Sequence, residues 1–318
     1  VLNKVATQSN FSSADSVLAN KGRSFHWARR LLGKIHADRA TRLYRLCRYI
    51  DDLGDEENSV EASRKKLLDA RNAISLRHSD NEILLDGVGL LNECQIDKVI
   101  LLDLIAGVES DTQLVRVEDQ GALLRYCYQV AGTVGLMMSK ALDTHDEVAY
   151  PFAIDLGIAM QLTNICRDIK VDALANRRYI PTNLVRDLEP ISLIHPNAQQ
   201  ENLVKDAVAN LLNCAEKYYA SGEMGLAYLP LQARLSILVA ARVYREIGVE
   251  LKNQDYEYWH RRIVVSTPRK IVVTFKALIS ILFTLNFWRH PKKHDANLHR
   301  ALFSQSSPVL SSLKNYAS

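Results

Sequence analysis

Two polar stripes cross segments that are otherwise apolar, and they leave few folds open to this chain. One stripe is Gln161, Asn164, Asp168 and Asp172, spaced three, four and four; the other is Tyr44, Arg48, Asp51 and Asp55, spaced four, three and four. Residues three or four apart share one face of a helix. Each stripe ends in two aspartates four residues apart, with Arg167 or Arg48 just upstream. Like charges at that spacing repel, so the pattern calls for something positive between them. Magnesium is suited to this: it is hard, prefers oxygen and shares its shell between carboxylates and substrate phosphates. A polar line in an apolar helical run reads as facing an internal cavity. Two solvated faces with chance aspartates are the bland alternative, and the doubling of the motif argues against it.

No β-alternation lasts long enough for a sheet, so the expected fold is all-α, a bundle of ten or more helices. The chain contains no solenoid period, no GxGxxG after a strand and no glycine-rich phosphate loop. Hydrophobic residues make up 47% of 318 positions, enough for a sizeable core. With 40 basic and 36 acidic side chains the net charge is +4, too mild an excess to imply nucleic acid. Five cysteines form neither a CxxC pair nor a His/Cys cluster, which favours a reducing interior and small core residues over disulfides or zinc. Residues 1–20 hold no apolar run of the signal-peptide kind. The expected place is therefore the cytoplasm.

In chain order, residues 1–20 read as a variable segment. A helix is expected over Ser24 to Leu32, with Arg23, Ser24 and Phe25 near an anion or serving an ordinary helix start. Further helices are expected over Asp38 to Asp52, Ser59 to Leu76, 82–109 with a weak point at Gly87 and Gly89, and Gly121 to Leu142. Gly54 suggests fraying close to Asp55. Gly132 and Gly135 suggest close approach of a neighbouring helix or a slender ligand. Tyr150-Pro151 opens a helix reaching Asp172, and Leu184 to Asn197 is loop-like. Helices over Glu201 to Ser221, Leu231 to Glu250 and Tyr256 to Arg262 follow. The segment Ile271 to Trp288 is mostly apolar but too short to span a membrane. With the basic residues after it, this segment reads either as a helix lying in a membrane interface or as a core helix before a solvated tail.

At this point the sequence resembles the squalene/phytoene synthase family over roughly residues 20 to 270. The resemblance is carried by Ser24-Phe25, by Tyr44 with Cys47-Arg48 and Asp51-Asp52-x-x-Asp55, and by Tyr126-Cys127-x-x-Val130-Ala131-Gly132-Thr133-Val134-Gly135. It continues through Gln161-Leu162-x-Asn164-Ile165-x-Arg167-Asp168-x-x-x-Asp172, then Arg177, Tyr179 and Pro181. It implies an all-α isoprenoid synthase bundle around a central cavity and head-to-head joining of two prenyl diphosphates through a cyclopropyl diphosphate. It also implies dependence on magnesium, with manganese able to substitute. Carried over by position, Asp51, Asp55, Asp168 and Asp172 would bind metal and Arg48 and Arg167 would contact diphosphate. Arg23, Tyr44, Gln161 and Asn164 fall where the family places substrate and metal contacts, with Asn164 among the metal residues. Tyr126, Tyr244 and Arg261 are looser matches. Two departures stand out: Val171 replaces a usual Glu, and Asn176 stands where the family has Gly before Arg177.

The expected organisation is one catalytic domain over 21–288 and a basic polar tail over 289–318. Phytoene synthase, using geranylgeranyl diphosphate, is the leading expectation, since Arg261-Arg262-Ile263-Val264-Val265-Ser266 with Lys270 looks more like that branch. Squalene or dehydrosqualene synthase, using farnesyl diphosphate, is the alternative within the family. A non-catalytic assembly factor on the same fold is the alternative from another class. A greasy product fits peripheral contact with the inner face of the membrane. The sequence leaves the oligomeric state open.

Overall fold

A computed structural model of the chain describes residues 27–55, 59–291, 293–304 and 307–313. Ten helices of eight residues or more carry the architecture among these: α1 Lys34–Gly54, α2 Val60–Leu76, α3 Glu82–Glu93, α4 Lys98–Ser110, α5 Gln120–Cys127, α6 Thr133–Ala141, α7 Tyr150–Leu174, α8 Ala198–Met224, α9 Leu231–Asn253 and α10 Thr267–Ser280. Among the described residues there is no strand, only an isolated bridge between Arg116 and Arg178. The fold is all-α, as the periodicity predicts.

Local chemistry sets several helix ends. Ser59 caps α2 by accepting from the Ala62 amide, and Asn81 caps α3 by accepting from Ile83 and Leu84. Asn197 and Gln200 form a capping box at the start of α8, satisfying otherwise orphaned amides in both directions. Pro151 stands in the first turn of α7, where its missing N–H costs nothing. The region 82–109 breaks at 94–97, not at its glycines. Gly87 lies within α3 where that helix meets α1: a Cβ there would lie 2.6 Å from Leu46. Gly54 is the last residue of α1 and lies against α4, where a Cβ would be 2.6 Å from Val108. The helix expected over Tyr256 to Arg262 is absent: Asp255 and Tyr256 both take positive φ, 51° and 61°, which no helix interior accepts.

The bundle is organised around α7, which packs against α6, α8 and α9. The single helix expected over Gly121 to Leu142 is instead α5, a π segment over Tyr128–Gly132, and α6. A π segment adds a residue to the turn and often sits at a functional site. Here it carries Val130 and Ala131 onto the wall of the central cavity. The π segment and α6 both touch α7 backbone to backbone. A Cβ on Gly135 would lie 2.2 Å from the Ala153 carbonyl oxygen, and one on Gly157 would lie 2.2 Å from the Ala131 carbonyl oxygen. The neighbouring helix accounts for this close approach.

The C-terminal region departs from its polar composition. Residues 294–304 and 307–310 fold back onto the bundle, with His294, His299, Leu302 and Leu310 buried. Tyr218 donates to the Leu298 carbonyl at 2.7 Å, and Ser307 donates to Asp103 at 2.7 Å. Two histidines finding a buried carboxylate partner, described below, are the reason; charge counting along the segment does not reveal it.

The glycine contacts give opposite expectations for the same substitution. Gly135→Ala and Gly157→Ala should each destabilise by about 1–3 kcal/mol through overpacking against fixed backbone. Gly89→Ala should stabilise by about 0.5–1 kcal/mol, since the nearest atom is Arg42 Nη2 at 3.7 Å and only helix propensity is at stake. Urea denaturation midpoints measure all three; equal midpoints for Gly89→Ala and Gly157→Ala would contradict the packing described.

Candidate active site

The stripe of α7 faces inward, and that of α1 runs from half-buried Tyr44, Arg48 and Asp51 to an exposed Asp55. Along α7, Gln161, Asn164, Asp168 and Asp172 are half-buried while Leu162, Thr163, Ile165, Cys166 and Ile169 between them are buried. Asp168 receives two guanidinium groups. Arg167 Nε reaches its Oδ1 at 2.9 Å with Nη2 close to Oδ2, and Arg262 adds Nε at 2.8 Å and Nη2 at 3.2 Å. Burial pushes the Asp168 carboxyl up, but Arg167 and then Arg262 outweigh it and hold the group below the usual range. Asp172 lacks that compensation. Burial first, and then the nearby Asp168 charge, push it up to about 7.

On α1, Arg48 Nη1 pairs with Asp51 at 2.8 Å and Nη2 with Asp52. Its Nε is buried without a partner. Burial, the largest cause, and then Asp55 and Asp52 raise Asp51 against the pull of Arg48. Tyr44, one turn upstream, is pushed up to about 12 by burial and then by Tyr244. Asp55 ends the helix and accepts from Arg177 Nη1 at 2.9 Å.

Arg177 links the two helices. Its guanidinium pairs with Asp55 of α1, while its amide donates to the Asp172 carbonyl at 2.8 Å at the end of α7. The turn that delivers it has Asn176 at φ 56°, in the left-handed region. This is the conformation that glycine enters freely and asparagine tolerates, so Asn176 serves where a glycine would. Behind Arg177, Asp111 accepts from Tyr126 at 2.9 Å and Tyr179 at 2.7 Å, and the two rings stack at 4.8 Å. Burial raises the Asp111 carboxyl to about 6, against the two tyrosine hydrogen bonds.

The polar face opens onto a cavity of about 950 Å³, mouth included. Gln161, Asn164 and Tyr244 line its polar end; Leu156, Phe152 and Leu229 line the rest, together with Ala131, Gly135, Ala153, Gly157, Gly222 and Gly225. Asn164 donates to Gln161 at a long 3.4 Å, and its own Oδ1 is buried with no partner. A bare amide oxygen beside carboxylates is a donor set made of oxygen alone, which suits magnesium.

The structure thus brings together Arg48, Asp51, Asp55, Arg167, Asp168 and Asp172, with Tyr44, Gln161, Asn164 and Tyr244 beside them. Tyr126 is held at the Asp111 side and does not line the apolar channel. Arg261 is not brought to the acidic face: its Nε meets Gln254 at 3.3 Å, while Arg262 takes Asp168. Adjacent side chains in an extended segment point to opposite sides, and the Arg261-Arg262 pair alone does not say which turns inward. Arg23, Ser24 and Phe25 lie outside the described residues. Asp52, Asp111 and Arg262 were not among the expected site residues. Asp52 sits in the acidic run itself, but Asp111 and Arg262 come from connections far from either stripe.

The squalene/phytoene synthase family model matches residues 18–269. A phytoene synthase of Pseudescherichia vulneris is 31% identical over 83% of this chain and 89% of its own length. A 15-cis-phytoene synthase of Enterobacter agglomerans is 32% identical over 74% and 83%. Among solved structures, a dehydrosqualene synthase bound to a ligand superposes with a TM-score of 0.77 at 25% identity, covering 87% of this chain and 98% of that one. Its fold is the isoprenoid synthase bundle. The chain accordingly belongs to the squalene/phytoene synthase family of divalent-metal-dependent enzymes, as a prenyltransferase of the 15-cis-phytoene synthase type.

Proposed function

We propose that the chain joins two molecules of geranylgeranyl diphosphate head to head to give phytoene, through a cyclopropyl diphosphate. One observation carries the reading: the apolar channel reaches the polar stripe of α7, since Asn164, one turn before Asp168, lines the same cavity as Phe152 and Leu229. Asp51, Asp55, Asp168, Asp172 and Asn164 would hold magnesium, with manganese as a substitute, and the bound ion would neutralise charge growing on the departing diphosphate. Arg48 and Arg167 now answer aspartates; their planar forks are equally matched to phosphate oxygens. Arg177 and Arg262 are placed to do the same. The channel wall keeps water from the allylic carbocation left by ionisation. Residues 21–288 would act as one catalytic domain, against which the described residues over 294–304 and 307–310 pack.

If the aspartates serve the metal, Asp51→Asn and Asp168→Asn should each lower turnover at least about 100-fold, the order lost with one electrostatic stabiliser. Circular dichroism should be unchanged. Near-normal turnover of both variants at limiting magnesium would contradict the assignment. The retained aspartates argue against a non-catalytic assembly factor; no diphosphate release from either substrate by the unaltered protein with magnesium would favour it.

Substrate length follows from the channel. From Asn164 to Phe152 the wall runs twelve residues of α7, about 18 Å at 1.5 Å per residue. Between them Gly157 and Ala153 are small, while Leu156 and Met160 are the larger residues of α7 on this wall. The similarity to phytoene synthases supports the longer substrate. The likeness to a dehydrosqualene synthase keeps farnesyl diphosphate as the second reading. Purified enzyme offered both diphosphates, with and without NADPH, should give a C40 hydrocarbon without NADPH. A dominant C30 product would overturn the substrate assignment.

We also propose peripheral contact with the inner face of the membrane. No helix among the described residues is long and apolar enough to cross a bilayer. The seam of α10 that faces the bundle is narrow, with Val273 and Ala277 buried, while Ile271, Phe275 and Ile279 are exposed. Leu282, Phe283 and Trp288 extend this apolar face, and Arg289 and Lys293 follow it. Such a face with a basic flank matches an interfacial helix. Phe275→Ser with Phe283→Ser should weaken binding to phosphatidylglycerol vesicles at least about tenfold, since burying each ring is worth about 1.5–3 kcal/mol. No binding by the unaltered protein at low salt would contradict it.

A further inference from the structure

Away from the acidic face, one cluster of titratable groups has no part in the reaction as described. Asp155 of α7 is fully buried. Its Oδ2 accepts from Ser221 Oγ at 2.5 Å and from His294 Nε2 at 2.7 Å, and its Oδ1 accepts from His299 Nε2 at 2.7 Å. Burial would raise this carboxyl, but the two histidines hold it below the usual range. The ligand-type atoms of Asp155, His294 and His299 lie within 4.8 Å of one another, a donor set that a transition metal can use.

The far ring nitrogens argue against a metal. Nδ1 of His294 and Nδ1 of His299 are both buried without a partner. A histidine holding a metal through Nε2 carries its proton on Nδ1 and donates it to an acceptor; here neither ring has one. With the proton on Nε2 instead, both rings donate to Asp155 and each Nδ1 is a bare lone pair, which is cheaper to bury than an orphaned N–H. The cluster is a hydrogen-bonded lock between α7, α8 and the C-terminal segment.

What the lock holds in place is the far end of the channel. The His294 ring meets Phe152 edge-on at 5.1 Å, and Phe152 stacks with Tyr228 at 6.3 Å. Tyr228 in turn stacks on His290 at 4.4 Å and donates to the Pro291 carbonyl at 3.2 Å. Phe152 and Tyr228 line the cavity opposite its polar end. Gly225 admits Phe152 closely, since a Cβ there would lie 2.3 Å from the Phe152 Cβ. The aromatic floor is therefore backed by a segment that touches neither aspartate stripe.

We infer that Asp155, Ser221, His294 and His299 are positioning residues for prenyl chain length: they clamp the C-terminal segment against Phe152 and Tyr228 and so fix the depth of the channel. This rests on the prenyl diphosphate reading above. The test measures kcat/KM of the full chain for farnesyl, geranylgeranyl and geranylfarnesyl diphosphate. His299→Ala releases the lock without touching Phe152, and His294→Ala also opens space behind its ring. Each should raise the use of a diphosphate one isoprene unit longer than the preferred one, relative to that preferred one, by at least about tenfold, a fraction of what five buried carbons are worth. His299→Gln keeps a side-chain N–H for Asp155 and should stay within about threefold of the unaltered enzyme. A role in stability alone would lower all three substrates together and leave the ratio alone. Should His299→Ala not fold, His294→Ala carries the same expectation. An unchanged ratio in the folded alanine variants overturns the inference. So does a stoichiometric transition metal in the purified protein that His299→Ala loses. Failure of the prenyl reading itself shows differently, as no diphosphate release from any of the three substrates by the unaltered enzyme.

Discussion

Concentrated negative charge beyond the polar end of an apolar channel is the constraint on which the rest of this structure depends. Asp51, Asp52, Asp55, Asp111, Asp168 and Asp172 are gathered there, against Arg48, Arg167, Arg177 and Arg262. Six carboxyls less four guanidinium groups leave two in excess, and burial first, then the neighbouring carboxylates, raise two of the carboxyls above their usual range. Asp172, with no guanidinium of its own, is pushed up to about 7, and Asp111 to about 6. Bringing more carboxylates together than arginines can balance costs stability. That cost makes sense where cations complete the set.

The apolar half of the site depends on how closely α6 and α7 approach. Gly135 lies on the Ala153 carbonyl and Gly157 on the Ala131 carbonyl, and these four residues also form part of the channel wall. Small residues thus join the helices and leave room beside the joint. The π segment before α6 turns Val130 and Ala131 to the same space. At one end of this wall the stripe of α7 supplies Asn164 and Gln161. At the other, Phe152 closes the floor, so a single helix positions both ends of the cavity.

Much of this was legible in the sequence because it is local. A spacing of three and four places four side chains on one face, and that face is where α1 and α7 carry their polar residues. Gly132 and Gly135 announced a close approach without saying to what. The missing parts are tertiary. Arg262 and Asp111 reach the site from connections, where no period constrains direction, and Arg261 was the neighbour named instead. The helix expected at Tyr256 failed on two left-handed residues that composition does not reveal. The C-terminal segment read as polar because histidine and lysine are polar. Only the fold shows that His294 and His299 find Asp155, which itself looks like an unremarked polar position within an apolar helix.

The central claim is that cations complete the acidic face and so make it a site for diphosphate. Calorimetric titration of the unaltered protein with inorganic diphosphate, with magnesium and then with chelator, tests this without any turnover. The account predicts binding with magnesium that weakens at least about tenfold in chelator, because the aspartates then repel the anion. Equal affinity under both conditions would mean that the arginines alone bind diphosphate, and would contradict it.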